Sequence, residues 1–470
     1  MKRRYLLLIS SLSLLAILGA YPTYTLYGAF GIGNMYEDSF LGELKYKMER
    51  LEQTEGKRIV LVGGSALPFG IRSELLEEQF DGYTAVNLGM YASLGSQVML
   101  DLAKARINEG DIFIISPEQH KQTLSSYFDA TPMWQALDGA FGYFNLLSAS
   151  YKEEMVLALP EFANSKYLYS RIGAPEGDGV YAKDSFDEYG DISSSLPSYN
   201  SMALGYDPNN RINFDSDVIE SDFIDAMNSF YHYAYNRGAS VYYHFAPSNE
   251  LAVDENDSVD DYYDYLSSKL DFPILGDPND SIFDSGWFFD TNFHLNNSGA
   301  ILNSVRLIDD LKVALDDDSP TDIDIPDMPI VPDRELVDGD DSDLSCFLYE
   351  EKDDCYLITG LSDEASNRDS LIVPTKYNDK PIIAFSSSTF QNSGLTSLTI
   401  QSNIEYIEDA SFSGSSISSL YIQNENPSGI SVGNNLLDGS SLTIYVPEES
   451  YSRYLTNYFW SQYANSLQPM

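Results

Sequence analysis

Cations are scarce in this chain. Only 27 Lys and Arg residues stand against 72 Asp and Glu, a formal net charge of −45. That balance argues against nucleic acid as a partner, because each neutralised phosphate needs a positive side chain. It argues equally against adhesion to anionic lipid through a basic face. Cysteine is nearly absent, with Cys346 and Cys355 alone. Two readings stay open for them: a bond across a hairpin in an oxidising exterior, or two reduced small hydrophobes. Neither has metal-ligand spacing. Four histidines, His120, His232, His244 and His294, limit where imidazole chemistry can occur. There is no phosphate-binding loop, nucleotide fingerprint or transition-metal cluster, so no cofactor and no metal are expected. Apolar residues are plentiful at 43%, and aromatics at 13%, which excludes general disorder. A length of 470 residues suggests two or three folded units.

The N-terminus carries an address. Lys2, Arg3 and Arg4 precede 23 uncharged residues, 5–27, enough to cross the hydrocarbon core. Tyr21, Tyr24 and Tyr27 fit an outer interfacial belt, and the basic cluster should stay in the cytoplasm. A single-pass anchor with the remainder extracytoplasmic is expected. The competing reading is a signal peptide cleaved near Gly19-Ala20, which would leave the protein secreted.

Short apolar runs at 58–62, 84–88, 112–115, 240–245 and 272–275 alternate with helical patterns at 73–80, 97–107, 223–236, 262–270 and 300–315. Such alternation predicts an α/β fold, a parallel sheet of about five strands with helices on both faces. Its site belongs beyond the carboxyl ends of the strands. Residues 125–215 break the rhythm as a Tyr- and Ser-rich insertion near that same face. The resulting division is 1–36 anchor or signal peptide, 37–315 α/β domain, 316–344 linker and 345–470 a repeat module. Within 316–343, twelve acidic residues, one basic residue and four prolines predict an extended connection. Beyond it Leu398, Leu420 and Leu442, and Ile400, Ile422 and Ile444, recur every 22 residues, as do Phe390 and Phe412. This period predicts a β-rich solenoid. Together with Leu371-Ile372-Val373-Pro374 and Ala410-Ser411-Phe412, it resembles the BspA-like leucine-rich repeats of bacterial surface proteins.

One constellation can carry chemistry. Ser65 follows a strand and Gly63-Gly64, at a turn that places its hydroxyl in the crevice beside helix N–H groups. His294 stands in Asp290-Thr291-Asn292-Phe293-His294-Leu295-Asn296-Asn297-Ser298-Gly299, just before the last helix of the sheet domain. A neutral imidazole can take the serine proton, and Asp290 can orient that imidazole and stabilise its charged form. Glu118, after the third strand in Ser116-Pro117-Glu118, leaves two readings open: an acid that binds a hydroxyl or amine of an acceptor, or a solvated loop acid. His120 and His232 read as surface or helix residues, and His244, at a strand end next to Ala246-Pro247, leaves a place in the crevice wall open without requiring it.

These motifs resemble the SGNH-hydrolase superfamily, near its membrane-anchored, DltD-like branch that transfers D-alanine to teichoic acids. The resemblance rests on Gly63-Gly64-Ser65 with Phe69-Gly70, Asn87-Leu88-Gly89, and the Asp290…His294-Leu295-Asn296 close, and spans about residues 57–315. It implies a three-layer, flavodoxin-like sheet and an acyl-Ser65 intermediate, with His294 as base and Asp290 as orienting acid. It also implies oxyanion donors from the backbone N–H groups of Ser65 and Gly89. The implied acceptor is a cell-envelope glycan or teichoic-type polymer, and the implied partner a multispanning acyltransferase. Two departures stand out. Thr291 occupies the position where the superfamily usually has its acid, and Ser116-Pro117-Glu118-Gln119-His120 replaces the Gly-x-Asn-Asp block that supplies a side-chain oxyanion donor. The rival expectation is an inactive surface protein that uses the repeats for adhesion or protein binding.

Overall fold

β1 (Lys57–Gly63), β2 (Tyr83–Asn87), β3 (Ile112–Ser116) and β4 (Ser240–His244) occupy the expected apolar runs in this computed structural model. Ordering of the chain is described for residues 19–174, 177, 179–332, 343–401, 403–437, 441–457, 459–460 and 463–470. After β4 come the two-residue strands β5 (Ser248–Asn249), β6 (Ile274–Leu275) and β7 (Ile282–Phe283). The main sheet runs β2-β1-β3-β4-β6, every pairing parallel. Alternation along its strands feeds two cores. Val60, Val62, Phe113 and Ile115 face one, while Ile59, Leu61, Ile112 and Ile114 face the other. Strands covered on both faces need apolar residues at nearly every position, as these have. Arg58 and Asp111 form a fully buried ion pair at the opposite end of the sheet from Ser65.

The insertion carries a long helix, Ala149–Ile172, against which the end of the expected membrane segment docks. Residues 19–26 are helical and Tyr27–Gly31 form one π turn. Tyr24 stacks on Tyr167 at 4.2 Å, and Lys166 Nζ donates to the carbonyls of Ala29 and Ile32. Residues 1–18, most of the expected anchor, lie outside the described residues. Among the described residues no helix is long and apolar enough to cross a membrane.

Residues 316–332 have no regular secondary structure, as their composition predicts, yet they lie along the α/β domain. Lys312 Nζ donates to Pro320 O and Thr321 Oγ1. Beyond the linker, β8 (Phe347–Glu351) pairs antiparallel with β9 (Tyr356–Leu361). Phe347 opposes Leu361 and Glu351 opposes Tyr356, so Cys346 and Cys355 sit at opposite ends of this hairpin and no disulfide joins them.

The strands that follow are β10 (Ser370–Ile372), β11 (Lys376–Tyr377), β12 (Lys380–Phe385), β13 (Ser397–Ile400), β14 (Tyr406–Ile407), β15 (Ser419–Ile422), β16 (Ser431–Val432), β17 (Thr443–Val446) and β18 (Leu467–Pro469). They stack into two largely parallel ladders, β10-β13-β15-β17-β18 and β16-β14-β12-β9-β8. The 22-residue interval sets one step, pairing Leu398 with Leu420 and Ile400 with Ile422, and Phe390 stacks on Phe412 at 5.0 Å. The next step differs from the sequence expectation. Leu420 pairs with Ile444, not Leu442, so that turn is two residues longer.

Candidate active site

The turn after β1 is forced by close approach. A Cβ on Gly63 would stand 2.2 Å from Ser116 O, and one on Gly64 2.1 Å from both Glu118 carboxylate oxygens. Only glycine lets the exit of β3 come this near. Ser65 then caps the short helix Ala66–Gly70 with helical dihedrals. On the far side of the crevice, Phe288 bridges Leu295, and Phe289 N–H donates to His294 O at 2.7 Å, pinning the loop. Asn296 finishes it, accepting from Gly299 N–H as the cap of the helix Asn297–Ala314.

These two loops, 229 residues apart in the chain, bring the expected side chains together. His294 Nε2 lies 2.8 Å from Ser65 Oγ, and His294 Nδ1 lies 2.9 Å from Asp290 Oδ1. Asp290 therefore reaches the imidazole from its unusual position. Thr291 instead caps the turn, its Oγ1 accepting from the N–H groups of Phe293 and His294.

Two groups that sequence reading missed complete the arrangement. Tyr181, from the insertion, donates its hydroxyl to Asp290 Oδ2 at 2.6 Å and lies 3.4 Å from His294 Nδ1. Burial, then the charge of Asp290, pushes its phenol well above the usual range, so it remains a donor. Phe69 stacks on the imidazole with centroids 3.9 Å apart and planes 1° from parallel. Phe69 belonged to the quoted motif, although nothing in its spacing pointed to a ring contact. Tyr181 had no local signal at all.

The expected oxyanion donors are otherwise engaged. Gly89 N–H donates to Asn87 Oδ1 at 2.9 Å. Ser65 N–H faces the Glu118 carboxyl, and Ala66 N–H donates to Glu118 Oε1 at 3.0 Å. Glu118 is 3% exposed, and its Oε2 is buried with no hydrogen-bond partner. Ser65 is 9% exposed, so the assembled site lies just beneath the surface.

The other histidines stand apart from Ser65. His244 Nε2 faces Asp310 at 3.8 Å, and burial drives its pKa well down. His232 pairs with Asp271 at the surface. His120 lines a cleft with Asn209, Arg211, Glu408 and Asp409, where the repeat module meets the α/β domain. At that junction Ser431 donates its hydroxyl to Asp207, whose backbone exchanges hydrogen bonds with the Asn292 side chain, two residues from His294.

No family model matches the chain, and no curated protein matches it. Among solved structures the chain is similar to a leucine-rich repeat protein from Bacteroides capillosus ATCC 29799, at 14% identity and a TM-score of 0.20. That match covers 27% of this chain and 95% of the other.

Proposed function

We propose that this chain is a serine-dependent esterase or O-acyltransferase of SGNH type, with a flavodoxin-like sheet domain held at the extracytoplasmic membrane face by its N-terminal segment. The observation that carries this reading is the hydrogen-bonded chain Ser65–His294–Asp290, assembled from distant loops at the carboxyl end of the sheet. In the first half-reaction Ser65 Oγ attacks the acyl carbon while its proton passes to His294 Nε2. The tetrahedral intermediate collapses, and the leaving alkoxide takes that proton. Acyl-Ser65 is then attacked by water or an acceptor hydroxyl, with the proton carried the same way. Asp290 holds the imidazole in the tautomer that presents Nε2 to Ser65 and stabilises its cationic form. A cell-envelope glycan or teichoic-type polymer fits as acceptor, with a multispanning acyltransferase as donor partner. The repeats, read as a leucine-rich-repeat solenoid, position the domain.

A second reading has its own observation: the carboxyl of Glu118 takes up the Ala66 N–H and faces the Ser65 N–H, backbone donors beside the serine, which suits an inactive sheet domain and a binding role for the repeats. Hydrolysis of an activated acetyl ester by the full chain separates the two. The enzyme reading expects turnover that Ser65→Ala and His294→Ala each reduce by about a million-fold, the loss typical of a working triad. Equal rates in wild type and Ser65→Ala would leave the binding reading.

A further inference from the structure

Every acyl-transfer site needs donors aimed at the oxygen that becomes negative. Here the backbone donors expected for that task are engaged, and the side chain standing among them is an acid. We propose that Glu118 is the side-chain oxyanion donor of this site, Oε1 anchored by the Ala66 N–H and Oε2 carrying the proton that it donates to the substrate oxygen.

The geometry supports each part. Oε1 accepts from Ala66 N–H at 3.0 Å, which fixes the carboxyl plane beside the nucleophile's own backbone. Oε2 is buried and unpartnered, an arrangement that costs free energy unless a ligand supplies the missing bond. Gly64, where any Cβ would collide with both oxygens, keeps the space Glu118 occupies. An ionised carboxylate there would repel the developing oxyanion, whereas the neutral acid donates to it. Burial favours the neutral form and raises the Glu118 pKa, opposed by the Ala66 N–H, by positive charge on His294 and by the Ser65 N–H. The titratable side chains facing Glu118 are His294 and Tyr243. No proton leaves Glu118 during the reaction. The carbonyl π pair moves to oxygen as Ser65 attacks, returns as the alcohol departs, and Glu118 only supplies and withdraws a hydrogen bond.

This inference rests on the serine-enzyme reading, and the test keeps the two apart. Wild type, Glu118→Gln and Glu118→Ala are compared as full chains for hydrolysis of p-nitrophenyl acetate across a range of pH. Ser65-dependent labelling by a fluorophosphonate is run in parallel. The sign follows from the raised pKa. Glu118 is a donor below it, so wild-type kcat/KM falls as pH rises through it. Glutamine donates at every pH. Glu118→Gln should therefore stay within about threefold of wild type below the Glu118 pKa and lose the fall above it, while Glu118→Ala drops about 100- to 1000-fold. The proposal is overturned if Gln is as impaired as Ala, if the wild-type fall with rising pH persists in Glu118→Gln, or if Glu118→Ala equals or exceeds wild type. Absence of Ser65-dependent labelling and hydrolysis in wild type would instead defeat the serine-enzyme reading on which it stands.

Discussion

Replacing Asp290 with Asn tests how the imidazole is held, and Tyr181 makes the outcome specific. Asp290 uses Oδ1 for His294 Nδ1 and Oδ2 for the Tyr181 hydroxyl. In Asp290→Asn the amide has one acceptor, and the Tyr181 O–H claims it. The amide NH2 then faces His294 Nδ1 and forces that nitrogen to accept. The ring proton moves to Nε2, pointing at Ser65 Oγ, and the base is lost. A second loss is the carboxylate charge beside the imidazolium, worth no more than about 4 kcal/mol at roughly 4 Å and an effective dielectric near 20. Partial exposure of the Asp290 side chain, 22%, reduces it further. Together these predict a fall in kcat/KM of about 10⁴-fold, the size seen when a triad acid becomes an amide. In the double variant with Tyr181→Phe the amide can turn its oxygen to His294, which should recover about tenfold by restoring the tautomer. Ester hydrolysis by all four proteins measures this as a double-mutant cycle. Near-wild-type activity in Asp290→Asn, or a double variant no better than the single one, would show that Asp290 and Tyr181 do not set the tautomer of His294.

Other consequences can be read independently. Arg58→Met leaves Asp111 buried and unpaired, a loss of about 3–5 kcal/mol, and should lower the thermal midpoint by roughly 10 °C by calorimetry. Ser431→Ala removes the hydroxyl that Asp207 accepts at the junction between domain and repeats, weakening that contact by about 1–3 kcal/mol. The variant should release the repeats from the full chain faster under limited proteolysis, and an unchanged rate would remove the latch from the account. Protease added to intact cells should cut within 316–344 and release the repeat module. Protection until lysis would reverse the orientation read from Lys2, Arg3 and Arg4.

The strands of the main sheet were legible because their residues are buried on both faces, so each is a short apolar run such as Arg58-Ile59-Val60-Leu61-Val62. The meeting of Ser65, His294 and Asp290 was anticipated because Ser65 follows the end of a strand, while Asp290 and His294 share one compact loop motif ahead of the last helix. Tyr181 was not, because its role depends on how the insertion folds back over the crevice, which no local period encodes. The step from Leu420 to Ile444 escaped for a related reason. Leu442 and Ile444 both fit a 22-residue interval, but two additional residues accommodated in that turn shift the ladder. The docking of Tyr24 on Tyr167 was equally invisible, since an aromatic at a membrane boundary and one packed on a helix read alike in sequence.

Activation of Ser65 as a nucleophile by His294 is the step on which the proposed chemistry depends. A fluorophosphonate tests it directly, because attack by Ser65 Oγ on phosphorus expels fluoride, passes the serine proton to His294 and leaves a stable adduct. Mass spectrometry of the digested full chain should find that adduct on the Ser65 peptide. It should be absent in Ser65→Ala and strongly reduced in His294→Ala. An unlabelled wild type, or an adduct on any other residue that persists in Ser65→Ala, would contradict the account.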